Sequence, residues 1–325
     1  MKRKDFIKAG TFAGLSAMFS NAFGGIFREK TEHFTDPKYR GVEGVWSPTN
    51  THMVGNGFKV MNFFPNGKGF EERMSPFFLL DFNAETNFPP SEISRGVGVH
   101  PHRGIETITF AYKGGVEHHD SKGNHGIINP GDVQWMTAGG GVLHKEYHEQ
   151  TYSKSGGAFE MLQLWINLPK KHKMTDAKYQ SIAHGTKPEV KLPGNKGSIY
   201  VVAGEYKNTK GIASTFSPIH IYDIHLNEKG DCNFTLPPGF NTGILVVDGS
   251  VNVNGKEAAE NHYVQLKNEG GEIQITANKK AILLVLSGEP LNEPYVSYGP
   301  FVMNTEEEIK QAIEDYNNGK FGFLK

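Results

Sequence analysis

The chain has 325 residues, 37% of them hydrophobic and 21% charged, and a formal net charge of −1, which suits a soluble globular protein of two modest domains. With no dense Lys/Arg run beyond the N-terminus, it lacks the basic patch of a duplex-binding surface, so direct nucleic-acid binding is not expected. A single cysteine, Cys232, excludes an intrachain disulfide and any Cys-based zinc site and reads as a small core residue, while 39 glycines suit a β-rich fold with many tight turns.

The first 27 residues stand apart. Lys2, Arg3, Lys4 and Lys8 precede an uncharged run from Ala9 to Phe27, and Ser20-Asn21-Ala22 offers small residues at a cleavage position. This is the anatomy of an export signal, and Arg3-Lys4-Asp5-Phe6-Ile7-Lys8 is similar to a twin-arginine motif with Lys in place of the second Arg. An exported, periplasmic protein is expected, with a cytoplasmic one as the alternative. The run is poor in Leu, Ile and Val, so no spanning helix is expected in the mature chain.

After a polar linker, Gly55 to Phe64 alternates as a strand, Pro65 to Gly69 is a turn cluster, and Phe77 to Phe82 reads as a buried strand. The next stretch carries the chemistry. It opens with V-H-P-H-R-G-I-E (Val99 to Glu106) and closes with P-G-D-V-Q-W-M-T-A-G-G-G-V-L-H-K-E (Pro130 to Glu146). His100/His102 and His144/Glu146 are spaced i, i+2, which puts each pair on one face of a strand. Two such strands side by side aim four ligand atoms at one point, a borderline N/O set suited to Fe, Ni, Cu, Mn or Zn rather than Ca or Mg. The plainer alternative is surface strand histidines; against it, seven of the 14 histidines fall between residues 100 and 148.

Within the stretch, Pro101 suggests an edge strand, Ile105 to Tyr112 is a strong β run, and Gly114-Gly115 reads as a hairpin turn. His118, His119 and His125 then lie on a hairpin turned by Ser121 to Asn124, as solvent-facing residues or hydrogen-bonders. Trp165, on the strand Glu160 to Leu168, is a core residue that could also line the pocket. Lys170 to His184 reads as polar with one short helix, leading through Val190 to Gly197 into a second domain. Eight short strands follow between Ile199 and Leu286, with Asp248-Gly249 and Asn254-Gly255 as hairpin signals. This half has no H-x-H; His220 and His225 are spaced to opposite faces, and the domain reads as metal-free. Thr305 and Glu308 form a capping box for a terminal helix whose stripe Ile309, Ala312, Ile313 and Tyr316 faces a core and which Gly319 ends.

The two motifs around the ligand pairs resemble the signature of the pirin family of the cupin superfamily. Met74 to Asp81, Leu162 to Pro169 and Gly299 to Gly319 resemble it too, so the likeness covers about residues 40–325. It implies an all-β fold of two cupin barrels in tandem with a C-terminal helix: residues 40–170 a metal-binding domain, residues 190–325 a degenerate one whose tail crosses back to the first. It also implies His100, His102, His144 and Glu146 as ligands of one divalent metal, iron by expectation, with nickel, copper or manganese permitted. Glu106, in the cupin pattern H-x-H-x3-E, becomes a buried supporting group or an alternative base to Glu146. Phe82 and Gly140 depart from the family pattern, which has His or Tyr and Arg there; Phe82 is expected to make one side of the pocket more apolar. The implied activity is a quercetin 2,3-dioxygenase-like oxidation of a planar phenolic substrate with O2 by a monomer. The alternative is a non-enzymatic, redox-sensing iron protein acting through protein partners.

Overall fold

The structure is a computed structural model and describes residues 38–65 and 73–324. The expected export signal at 1–27, most of the linker after it and the turn residues 66–69 lie outside the described residues. Among the described residues no helix is long and apolar enough to cross a membrane.

Among the described residues, two seven-stranded sheets are each backed by a four-stranded one. The first large sheet has the spatial order Lys178–Ile182, Val133–Thr137, Ile105–Lys113, Gly157–Asn167, Phe77–Phe88, Phe58–Phe64, His52–Val54. Its four-stranded partner runs Gly96–His102, Val142–His148, Val116–Asp120, His125–Ile128. The second half repeats the plan, with its small sheet in the order Asp231–Thr235, Glu272–Ala277, Ser250–Val253, Lys256–Ala259. The two large sheets bury one common core: Phe63, Phe82, Phe110 and Trp135 from the first meet Ile221, Leu245, Tyr263 and Leu284 from the second. Phe82 therefore fills this inter-sheet core and not the side of a pocket, a correction to the expectation for that position.

The Gly114-Gly115 pair is not a hairpin turn. It carries the chain from the large sheet into the small one, as Asp248-Gly249 does in the second half, and the paired hairpin comes after it, Val116–Asp120 against His125–Ile128. Gly114 sits at φ 75°, and a Cβ there would lie 2.6 Å from the Phe159 ring, so the corner requires glycine. Asn254-Gly255 is a true hairpin, joining Val253 to Lys256 with both residues at positive φ. The segment read as holding one short helix instead contains the edge strand Lys178–Ile182 between two 3-10 turns. A six-residue helix, Gln150–Ser155, was not signalled by any long apolar period.

The chain ends cross over. Val42–Trp46, placed by sequence in the first half, pairs with His262–Leu266 of the second half's sheet. The helix Glu306–Asn317, capped by the expected Thr305/Glu308 box, packs Ile309, Ala312 and Tyr316 against Leu143 of the first half.

Candidate metal centre

Two strands of the first small sheet carry the predicted ligands. Gly96–His102 lies at the sheet edge, as Pro101 required, and pairs antiparallel with Val142–His148 so that His144 faces His100. A register irregularity between His144 and Glu146 follows. Side chains of one parity then converge: the ring centroids of His100 and His144 are 4.2 Å apart, and those of His102 and His144 4.8 Å. Candidate ligand atoms of His100, His102 and His144 all lie within 4.8 Å of one another.

The expectation of a solvent-facing or hydrogen-bonding His118 is corrected by the structure. His118 is fully buried, sits directly opposite Glu146 in the neighbouring strand, and groups with His144 and Glu146 inside the same 4.8 Å limit. Its ring stacks on Tyr179, and its Nε2 stands 3.7 Å from Asp120 Oδ2. The signal was present in the alternation Val116, His118, Asp120, which strand parity puts inside while Glu117 and His119 stay outside. His119 and His125 are partly exposed hydrogen-bonders to Glu117, as expected.

The imidazoles are set up for a Lewis acid. His100 Nδ1 is 2.8 Å from the Gly98 carbonyl and His102 Nδ1 is 3.3 Å from that of Pro300, which fixes both rings and leaves each Nε2 as the free ligand atom. His102 Nε2 and both nitrogens of His144 are buried without a hydrogen-bond partner. Orphaned buried polar atoms are costly, and a bound cation would satisfy them, so the residues present fit a metal. Burial holds the His102 and His144 imidazoles well below their ordinary pKa, hence neutral, which is the ligating form. Glu146 is held from both sides: Thr109 Oγ1 donates to Oε1 at 3.1 Å and Gln163 Nε2 to Oε2 at 2.8 Å. Trp165 Nε1 in turn donates to Gln163 Oε1 at 3.0 Å, and its ring packs edge-on against His102 at 4.9 Å, so Trp165 does border the site.

Glu106 is not brought to this cluster. The Arg103-Gly104 break resets parity, and Glu106 shares its face with Ile108 and Phe110, on the inter-sheet core side, while Thr109 faces Glu146. Its Oε1 accepts from Trp135 Nε1 at 2.9 Å and Thr137 Oγ1 at 2.7 Å, and burial raises the carboxyl to about 7. The carboxylate that the sequence did not single out is Asp81: it joins His100, Glu146 and Gln163 around a recess of about 30 Å³, and burial lifts it to about 6. In the second barrel the equivalent interior is filled by apolar side chains such as Val201, Ile224, Val246, Ile275 and Leu283, and His225 bonds Asp223 instead. Cys232 is buried there, with its thiol pushed up to about 12 by desolvation, an inert core residue.

Residues 57–166 match the family model described as Pirin, and residues 221–322 the one described as Pirin C-terminal cupin domain. A Pseudomonas aeruginosa protein named "Putative quercetin 2,3-dioxygenase" is 45% identical over 281 residues, 86% of this chain and 98% of that protein. A second protein of that name from the same organism is 40% identical over 256 residues, 76% of this chain and 87% of its own length. The crystal structure of quercetin 2,3-dioxygenase from Acinetobacter baumannii superposes with a TM-score of 0.84 at 45% identity, covering 88% of this chain and all of that one. With both barrels, the terminal helix and the buried His/Glu cluster in place, the chain belongs to the pirin family.

Proposed function

We propose that this protein is a dioxygenase for flavonol-like phenols, with one divalent transition metal, iron by expectation, held by His100, His102, His144 and Glu146. The observation that carries the reading is the set of buried, unpaired imidazole nitrogens beside an oriented carboxylate. The names of the relatives at 45% identity support the substrate class. Held by these residues, such a metal would supply Lewis-acid chemistry toward the oxygens of a phenolic substrate and toward dioxygen.

The chain's own groups do the rest. Glu146 is the proton acceptor for the substrate hydroxyl, held in place by Thr109 and Gln163. The Trp165–Gln163–Glu146 chain of hydrogen bonds fixes the Gln163 amide so that its NH2 faces the carboxylate. Glu106, on the far face of its strand, has no part in proton transfer. The recess beside Glu146 is bordered by the partly exposed Val54 and Val97, the side from which a flavonol would reach the carboxylate.

Oxygen uptake with quercetin tests the reading on protein carrying one metal per chain. Flavonol-dependent uptake that is lost in Glu146→Gln and kept in Glu106→Gln is the expected result. Metal-loaded protein with no uptake would refute the dioxygenase and return the chain to a binding or regulatory role.

A further inference from the structure

The hairpin that contributes His118 to the interior shows a second set of ligand-type side chains on its outer face. Strand parity alternates Val116, His118 and Asp120 inward with Glu117 and His119 outward. His125, on the returning strand, is the direct cross-strand partner of His119. Their ring centroids are 4.3 Å apart with the planes inclined by 38°. Glu117 stands two residues before His119 and so on the same face. Its Oε1 lies 2.9 Å from His119 Nε2 and 3.2 Å from His125 Nε2. One ligand atom from each of the three falls within 4.8 Å of the other two.

We propose that Glu117, His119 and His125 form a second metal site, surface-accessible and separate from the buried cluster, that takes a divalent transition metal of the zinc class. Metal–ligand bonds of ~2.0–2.1 Å set neighbouring ligand atoms roughly 2.9–3.4 Å apart, and both Glu117 contacts fall in that range. Two imidazoles and one carboxylate are a borderline donor set that favours zinc, copper or nickel over calcium or magnesium. The hairpin supplies the rigidity. Val116 and His118 are fully buried beneath it, and the strand is paired on both sides, so little side-chain ordering remains to be done when the ion arrives. Access is open, since the side chains of His119 and His125 are 34% and 51% exposed and that of Glu117 28%. Three protein ligands leave at least one position to water. Lys145 is the register neighbour of His119 on the next strand.

The site does not depend on the flavonol reading, because its test counts metal and not turnover. The full-length protein is dialysed against excess Zn2+, then against metal-free buffer in steps, and zinc per chain is measured by mass spectrometry. His119→Ala, His125→Ala and the double variant are compared with wild type, and His184→Ala, another exposed histidine, serves as control. The three residues are partly exposed, so the variants fold, and thermal unfolding checks this. The expected result is one zinc fewer per chain in each hairpin variant and no loss in His184→Ala. Glu117→Gln takes away the anionic ligand and is expected to lose the same zinc in this dialysis series. Equal zinc content in wild type and the double variant, or an equal loss in the His184 control, overturns the proposal.

Discussion

Arg103 donates from Nη2 to Asp315 Oδ2 at 2.8 Å, joining the neighbour of the proposed ligand His102 to the terminal helix 212 positions later. Both side chains are buried, at 4% and 9% exposure, and Arg103 Nε also donates to the Gly140 carbonyl at 2.8 Å. Its guanidinium lies over the Phe321 ring at 4.7 Å. Asp315→Ala leaves a guanidinium buried without its carboxylate. The expected loss is about 3–5 kcal/mol of stability, read from urea unfolding, with weaker metal retention because His102 loses its anchored neighbour.

The correction at His118 yields a graded series. Glu146→Ala and His102→Ala remove ligands and are expected to strip the metal. His118→Ala removes a ring packed on His144 and opposite Glu146, and is expected to weaken binding by about ten- to hundredfold while the protein still loads at saturating metal. Metal titrations of the three variants separate these cases. Unchanged affinity in His118→Ala would make that ring mere packing.

Acid lability has an identifiable contributor in the second barrel. Burial alone would raise the Asp223 carboxyl, but the His225 hydrogen bond and Lys187 Nζ at 2.9 Å outweigh it and hold the group at about 2. A native pKa below the unfolded value of ~3.9 means the unfolded chain binds more protons between the two. The stabilisation, roughly 2–3 kcal/mol, is complete above about pH 5 and is lost progressively as pH falls through about 2. Urea midpoints between pH 2 and 5 should show this slope, and Asp223→Asn should flatten it.

Export through residues 1–27 predicts cleavage after Ala22 and a mature chain that begins at Phe23. Intact mass of the protein recovered from fractionated cells decides it. A full-length mass in the cytosolic fraction would place the chain among cytosolic partners and favour the regulatory alternative.

The convergence of the His/Glu cluster was legible because its residues obey strand parity in short, uninterrupted strands: His100/His102 and His144/Glu146 needed only the i, i+2 rule and the pairing of two neighbours. Glu106 escaped that rule, because Arg103-Gly104 ends one strand and starts another in a different sheet, so counting across the break gives the wrong face. His118 was misread for the opposite reason, since three histidines in one hairpin look alike until alternation is applied to each. The Gly114 corner and the Asn254-Gly255 turn carry similar residues, and only tertiary packing separates a change of sheet from a hairpin. The second half's strands were marked by apolar runs between turn residues, whereas Glu189–Leu192 and Lys178–Ile182, polar edge strands, were not.

The crossed ends bear on how this protein can be divided. The strand Val42–Trp46 is clasped by the second half, with Arg40 donating to the Lys267 and Phe240 carbonyls, while the terminal helix closes on the ligand sheet of the first. A cut between residues 170 and 190 therefore yields no free-standing half. Each piece keeps a segment that belongs to the other and exposes a sheet face meant for it. Complementation by co-expressed pieces, and not truncation, is the route to a split form.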